Sequence, residues 1–282
     1  MRKSSIGIIV LSILLIGMVI PAGFSASDSQ VVITYGETTQ HNANYKKTVD
    51  DFFEQQAHAD INKISSKIIT ADDVNKISSS ITGKTYNSNQ IFSSALVDLN
   101  ENDNLKVSVD KSKITTVTGD MYISALKSVG ITAGHVYVTS PVTATGESAL
   151  AGIMNSYEEV TDVEIPDTVK EAANKEIYTQ SEIVQHSNVS ADKLSDLVDD
   201  VKETVKEENV TDHQTIVNII NNYTVVNNIN ITNSDIENLA SSIEQIQNVQ
   251  GDINNYTSEV SDVFSNTTDT NTVKGLFDGL FN

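Results

Sequence analysis

The chain has 282 residues, a formal charge of −20 and no cysteine. A surface this acidic repels phosphate backbones and anionic lipid headgroups, which argues against nucleic-acid binding and electrostatic membrane docking. The absence of cysteine excludes disulfides, thiolate nucleophiles and thiolate metal ligands, so the fold depends on core packing.

The first 26 residues have the three-part pattern of a secretory signal peptide. Arg2 and Lys3 give a positively charged start, and residues 6–20 are an almost unbroken apolar run. Small residues follow this run, which predicts cleavage after Ser25 or Ala26. The pattern therefore predicts an extracytoplasmic protein, either secreted or associated with the cell envelope.

An uncleaved membrane anchor is the alternative interpretation of this segment. Residues 6–24 approach the roughly 20 apolar residues that a bilayer-spanning helix needs. Ser12 and Gly17 dilute the run, however, and Pro21 interrupts it. We therefore expect the segment to be removed. No later stretch is long and apolar enough to predict a membrane span in the mature chain.

Residues 27–163 have the pattern of an α/β domain, a mixed sheet with packed helices. Short β-branched runs predict strands at 31–35, 67–69, 91–99, 105–109, 114–117 and 135–139. Apolar residues at helical spacing predict helices at 46–57, 121–129 and 146–159. Thr70 and Asp73 have the spacing of a capping box, which predicts a further helix through Ile77. Strand, helix and strand between 114 and 139 favour parallel neighbours in part of the sheet.

Residues 164–272 have the pattern of a helical region. Apolar spacing predicts helices over 169–183, 194–205 and 236–263. Two capping boxes predict helix starts, at Thr211 with Gln214 and at Ser234 with Glu237. The asparagine-rich residues 209–233 favour a linker between helices, with a small hairpin of 225–226 and 229–232 as the alternative.

Four short segments of the chain are similar in sequence to segments of a known family. They are QIFSSALVDL at 90–99, TTVTGDMY at 115–122, VTSPVTATG at 138–146 and ALAG at 149–152. They resemble the YpuA-like family of exported, largely bacterial proteins of unknown function, over about residues 31–248. The resemblance implies an extracytoplasmic protein with no assigned activity, and so it implies no catalytic residue.

The polar stretch that begins at Asp98 matches only the start of a calcium-binding loop. Asp98, Asn100 and Asn102 occupy its first, third and fifth positions. Asp103 stands where the loop needs a glycine, and Val109 where it needs a bidentate carboxylate. We therefore predict a polar hairpin turn here.

Other short motifs also favour structural roles. Residues 83–85 resemble the end of a phosphate-binding loop, but no hydrophobic strand leads into them. Ser190 and Lys193 match the Ser-x-x-Lys of penicillin-binding sites without its Lys-Thr-Gly partner, so Ser190 is predicted to cap a helix. The 5 histidines are never three or four residues apart, which argues against a helical zinc site. We therefore expect no catalytic, cofactor-binding or metal-binding residue and no cofactor.

Asparagine sequons are concentrated in the C-terminal half. The possible N-glycosylation sites are Asn188, Asn209, Asn222, Asn230, Asn255 and Asn266. Several arise by chance in a chain this rich in asparagine and threonine, so we expect half or fewer to be modified. Modification in the host would mean that this half faces solvent.

Three functions remain open from the sequence. The export pattern and the missing nucleophile and metal sets favour a non-catalytic envelope or secreted protein that binds an envelope or extracellular protein partner. Residues 273–282 form an apolar tail that would bury in a partner's groove or in the chain's own core, through Leu276, Phe277, Leu280 and Phe281. The alternatives are an envelope-polymer hydrolase that uses carboxylates and a helical self-assembly module.

Overall fold

The structure, a computed structural model, describes residues 30–83, 85–100 and 104–267, without the side chains at 80, 82 and 263–267. The predicted signal segment, with Ser25 and Ala26, and the apolar tail lie outside these residues. The described residues form the strands β1 (Val31–Gly36), β2 (Ser65–Ile69), β3 (Ser94–Asp98), β4 (Lys106–Val109) and β5 (His135–Thr139).

Helices account for most of the remaining described residues. They are α1 (Glu37–Gln40), α2 (Ala43–Ala57), α3 (Ala71–Thr82), α4 (Gly119–Ser128), α5 (Ala149–Thr161), α6 (Asp167–His186), α7 (Ala191–Glu207), α8 (His213–Val226), α9 (Asn233–Asn248) and α10 (Gln250–Thr267). Within the described part of the chain, no helix combines the length and apolarity needed to cross a bilayer.

The strands form one mixed sheet in the order β2-β1-β3-β5-β4. β1 is parallel to β2 and β4 is parallel to β5, whereas β3 is antiparallel to both β1 and β5. On one face, Phe53 of α2 belongs to the same core cluster as Leu96. On the other face, Leu126 of α4 and Ile153 of α5 belong to the same cluster as Val97. The predicted mixed sheet with packed helices is confirmed.

The predicted hairpin between β3 and β4 is wrong, because β5 lies between these two strands. Leu96 of β3 and Ser108 of β4 pair with opposite sides of the same residue, Tyr137 of β5. A local turn does follow β3, since the Asp98 carboxylate accepts a 2.8 Å hydrogen bond from the Asn100 amide. This side-chain turn begins the polar stretch, but β3 and β4 do not pair with each other.

The predicted strand at 114–117 is also wrong. Ile114 forms only an isolated parallel bridge with Ala144. The amides of Thr115 and Val117 donate to the carbonyls of Ala144 and Thr145, in the segment that leads to α5, and so do not join the sheet. β4 takes its place, and β4, α4 and β5 together form the parallel strand-helix-strand unit that the spacing predicts.

Helix α6 connects the sheet to the C-terminal helices. It packs against α3, α4, α5, α7, α9 and α10. Val169 and Ile177 of α6 belong to the core cluster beside the sheet, whereas Ile183 belongs to a second cluster with α7, α8 and α9. The predicted helical C-terminal region is therefore confirmed, and its first helix contributes to both cores.

Helix α8 replaces the linker predicted for residues 209–233, and the hairpin alternative is wrong for the same reason. Ile216, Val217, Ile220 and Thr224 are buried along one face of α8. Burial of this apolar stripe outweighs the poor intrinsic helix propensity of asparagine, because tertiary packing supplies most of a helix's stability in a protein.

Neither of the two capping boxes predicted for the C-terminal half forms. Asp212, rather than Thr211, caps α8 by accepting a 3.1 Å hydrogen bond from the Thr215 amide. Thr232 caps α9 in a reciprocal box with Asp235, so Ser234 lies inside the first turn. The helical spacing predicted over 236–263 is divided between α9 and α10.

Gly36, at the end of β1, lies against the backbone that precedes β3. A Cβ atom at this position would lie 2.5 Å from the Ile91 carbonyl oxygen and 2.9 Å from that of Ser93. By contrast, a Cβ atom at Gly251 in α10 would meet nothing within 4 Å. The two glycines therefore respond oppositely to the addition of a single methyl group.

We predict that Gly36→Ala lowers the free energy of unfolding by about 1–3 kcal/mol, because the methyl group displaces backbone. Gly251→Ala is the matched control, and it should be neutral or raise stability by up to about 1 kcal/mol, since alanine favours helix. Urea unfolding of both variants measures the difference. Equal stabilities of the two variants would contradict the close approach at Gly36.

Candidate functional site

Ser190 and Lys193 do not form a catalytic pair. The Ser190 hydroxyl accepts a 3.4 Å hydrogen bond from the Lys193 backbone amide and caps α7, which confirms the predicted cap. The Lys193 ammonium instead donates to the Asn228 carbonyl at 3.3 Å. This motif therefore joins the start of α7 to the loop after α8.

The sequon asparagines with described side chains all lie at the surface. Their side chains are exposed at Asn188, Asn209, Asn222, Asn230 and Asn255. Asn266 lies in α10, where its side chain is outside the described set, and the docking residues Leu276, Phe277, Leu280 and Phe281 also lie outside it. Glycosylation and tail docking stay predictions.

One serine and one histidine on the sheet have the contact of a nucleophile and its base. Ser108 Oγ lies 2.9 Å from His135 Nε2, and Tyr137 Oη lies 3.0 Å from His135 Nδ1. A catalytic histidine is ordinarily oriented by a carboxylate at this second nitrogen. Since Tyr137 takes that position and the pair lies outside the groove described next, we assign it no catalytic role.

A groove of about 430 Å³ between α4, α7 and α9 is the candidate ligand site. Its apolar side is formed by Val205 of α7 and by Ile243 and Ile246 of α9. Its polar side is formed by hydroxyl and charged groups of α4 and α7, namely Ser124, Lys127, Ser128, Asp199, Lys202, Glu203 and Lys206. The volume falls in the range of small-molecule sites.

A network of charged and hydroxyl groups lies at the base of the groove. We call it the Lys202 cluster, and it consists of Ser124, Ser128, Glu176, Asp199 and Lys202. The Lys202 ammonium lies 2.5 Å from Ser124 Oγ, 2.9 Å from Ser128 Oγ, 2.9 Å from Glu176 Oε1 and 3.2 Å from Asp199 Oδ1. Glu176 is only 1% exposed. The cluster therefore joins α4, α6 and α7 around a buried carboxylate.

The Lys202 cluster has the composition of a serine–lysine hydrolase but not its proton arrangement. A lysine base needs a free lone pair, whereas the Lys202 ammonium is ion-paired with the carboxylates of Glu176 and Asp199. Ser124 is 2% exposed, and its hydroxyl also contacts Glu176 and Asp199. These contacts favour a structural and electrostatic role over nucleophilic attack.

Two lysines at the mouth of the groove form no ion pair among the described residues, although Asp199 and Glu203 also line it. Lys127 and Lys206 are exposed. Among the described residues, no carboxylate oxygen lies within 4.0 Å of either ammonium. In a chain with a formal charge of −20, they make this groove a place where an anion is attracted.

Sequence reasoning missed the Lys202 cluster because its members are far apart in the chain. Ser124 precedes Glu176 by 52 residues, and Lys202 follows Glu176 by 26. One signal was present, since Glu176 lies on the same helical face as the buried Ala172 and Ala173. A carboxylate within an apolar stripe indicates a buried partner of opposite charge.

We predict that Lys202→Met lowers the free energy of unfolding by about 3–5 kcal/mol, because it leaves the Glu176 carboxylate buried without its cation. Glu176→Gln combined with Lys202→Met removes both charges and should recover a large part of this loss. Urea unfolding of the wild type, both single variants and the double variant measures the coupling. A Lys202→Met variant within about 1 kcal/mol of the wild type would contradict the assigned role.

Comparisons with known proteins agree with the resemblance seen in the sequence. A family model described as "Protein of unknown function (DUF1002)" matches residues 35–263. The "Uncharacterized protein YpuA" of Bacillus subtilis (strain 168) is 24% identical over 253 residues, which cover 89% of this chain and 84% of that protein. No solved structure matches the chain significantly. The predicted YpuA-like relationship is confirmed, and the chain belongs to the DUF1002 family of proteins of unknown function.

Proposed function

We propose that this protein is exported and acts, without catalysis, as a binding protein whose groove between α4, α7 and α9 takes a small amphiphilic anion. The observation that carries the proposal is the pairing of two surfaces in one groove. The apolar side chains of Val205, Ile243 and Ile246 line the same groove as Lys127 and Lys206, whose ammonium groups form no ion pair among the described residues.

The size and charge of the groove favour this class of ligand. A cavity of about 430 Å³ suits a molecule with an apolar body of a few rings or a short chain. Lys127 and Lys206 supply charge for a carboxylate, sulfonate or phosphate group, and Ser128 offers a hydroxyl nearby. The envelope or extracellular protein partner expected from the sequence is a separate proposal, for which no described surface stands out.

Export is the second part of the proposal, and it is supported by the three-part pattern of the first 26 residues. An exported binding protein meets its ligand outside the cytoplasm, where ATP and other nucleotide cofactors are scarce. Binding of a ligand by the apolar residues and lysines of the groove does not require such cofactors.

We predict that anilinonaphthalene sulfonate, which joins an apolar ring system to one anionic group, binds in the groove. Replacing both lysines, Lys127→Gln with Lys206→Gln, should weaken this binding roughly fivefold or more, about 1 kcal/mol, because the anion loses two nearby charges. Fluorescence titration measures the affinity. The control variant, Lys47→Gln with Lys63→Gln, changes the net charge equally at exposed sites. Equal weakening in both variants would show that only net charge matters and would contradict the proposed site.

We also predict that the wild-type chain, expressed in its own host, is recovered outside the cytoplasm and begins after Ser25 or Ala26. Leu14→Arg should hold the precursor inside the cell, because a charge interrupts the apolar run. Cell fractionation with N-terminal sequencing tests both outcomes. Recovery of the wild-type chain from the cytoplasm with its first residues intact would contradict export.

A further inference from the structure

His213, the first residue of α8, is held between two carboxylates of α9. Its Nε2 atom lies 2.8 Å from Glu237 Oε2, and its Nδ1 atom lies 2.9 Å from Glu244 Oε2. Both ring nitrogens are therefore within hydrogen-bond distance of carboxylate oxygens. This arrangement restricts the protonation state of the ring.

Only the protonated form of His213 satisfies both contacts. An ionised carboxylate can only accept hydrogen bonds, and a neutral imidazole has one N–H donor. In the neutral ring, the lone pair of the second nitrogen would face a carboxylate oxygen. Loss of the proton therefore replaces one of the two hydrogen bonds with a repulsive contact.

His186 provides a contrast within the same group of helices. Its Nε2 atom lies 3.0 Å from Asp235 Oδ1, and no other carboxylate oxygen of the described residues lies within 4.0 Å of the ring nitrogens. A neutral tautomer with its proton on Nε2 satisfies that single contact. His186 therefore does not require the charged ring, although it also joins a helix to α9.

The contacts of His213 lie next to the wall of the groove. Glu244 directly follows Ile243, and Ile246 and Gln247 occupy the next positions of α9 that line the groove. The Gln247 amide also donates a 2.6 Å hydrogen bond to the Val210 carbonyl, just before α8. Adjacent hydrogen bonds thus hold the start of α8 against the part of α9 that lines the groove.

We propose that protonation of His213 fastens the start of α8 to α9 and thereby maintains the apolar wall of the groove, so that ligand binding depends on pH. This inference rests on the proposed function, since it concerns the regulation of the same groove. It gives an exported protein a way to bind its ligand more tightly in acidic surroundings.

The charged groups around His213 all favour its protonated form. Hydrogen bonds to Glu237 and then to Glu244 raise the pKa of His213 above its ordinary value, and partial burial opposes this only weakly. Asp212, the preceding residue, adds a further negative charge. Among the described residues, α7 contributes no ion pair to the ring, although it also packs against α8.

The direction of the pH effect follows from the raised pKa. The His213 contacts are complete below the ordinary histidine pKa of about 6.5, and they are lost as the pH rises through the raised value in the folded protein. Affinity should therefore be high in mildly acidic solution and should fall as the solution becomes alkaline. The sulfonate of the dye, the anion of a strong acid, keeps its charge over this range.

The experiment measures the affinity for anilinonaphthalene sulfonate at about pH 5.5 and about pH 8.5, where histidine titrates and glutamate stays ionised. We expect wild-type affinity to fall roughly fivefold or more between the two conditions. His213→Gln should bind with the weaker affinity at both, because its amide donates to only one carboxylate at a time. His186→Gln is the matched control and should keep the wild-type pH dependence.

A second measurement does not depend on a folded variant. Nuclear magnetic resonance of the wild type, with labelled histidine rings and isoleucine methyl groups, should give the Ile243 and Ile246 methyl shifts the same midpoint as His213, above its ordinary pKa. A wild-type affinity independent of pH, or a His213→Gln variant with the wild-type pH dependence, would overturn the inference.

The outcomes separate this inference from the proposed function. Binding that still depends on Lys127 and Lys206 but not on pH leaves the groove as the ligand site and removes only the role of His213. Binding that ignores these lysines at both pH values removes the groove as the site, and the regulatory inference is then overturned with it.

Discussion

The ion pair between Lys202 and the buried carboxylate of Glu176 determines how the helices around the groove are arranged. Burying a carboxylate costs several kcal/mol unless an opposite charge and hydrogen bonds accompany it. Glu176 belongs to α6, Lys202 to α7, and Ser124, which contacts both, belongs to α4. The three helices must therefore meet in one register, and that register places the Lys202 cluster beside the apolar residues of α9 that line the groove.

The charge distribution connects this architecture to function. A strongly acidic protein repels anions over most of its surface, so an anionic ligand is favoured where lysines form no ion pair with a carboxylate. Lys127 and Lys206 meet that condition at the mouth of the groove, while Lys202 at its base is already paired. Membership of a family of unknown function does not identify a ligand. The chemistry of the groove therefore carries the functional argument, with an apolar wall for the body of a ligand and two lysines for its anionic group.

Local patterns in the sequence were sufficient to predict much of the secondary structure. Thr70 and Asp73 form the capping box that their spacing predicts, and β1 (Val31–Gly36) contains the strand predicted at 31–35. The order of strands was beyond such reasoning, because the insertion of β5 between β3 and β4 depends on long-range pairing. Helix α8 was missed because packing overrode the propensity of its asparagines. The Lys202 cluster was missed because a local sequence pattern does not reveal a contact between residues 78 positions apart, such as Lys202 and Ser124.

Methyl nuclear magnetic resonance of the protein during titration with anilinonaphthalene sulfonate tests the central claim most directly. The account predicts that the first and largest shifts occur at the methyl groups of Ile243, Ile246 and Val205, which form the apolar wall. Val225 and Val226, which are each 81% exposed at the end of α8, are internal controls for nonspecific adsorption of the dye. Shifts confined to these two valines, with the groove residues unchanged, would contradict the account.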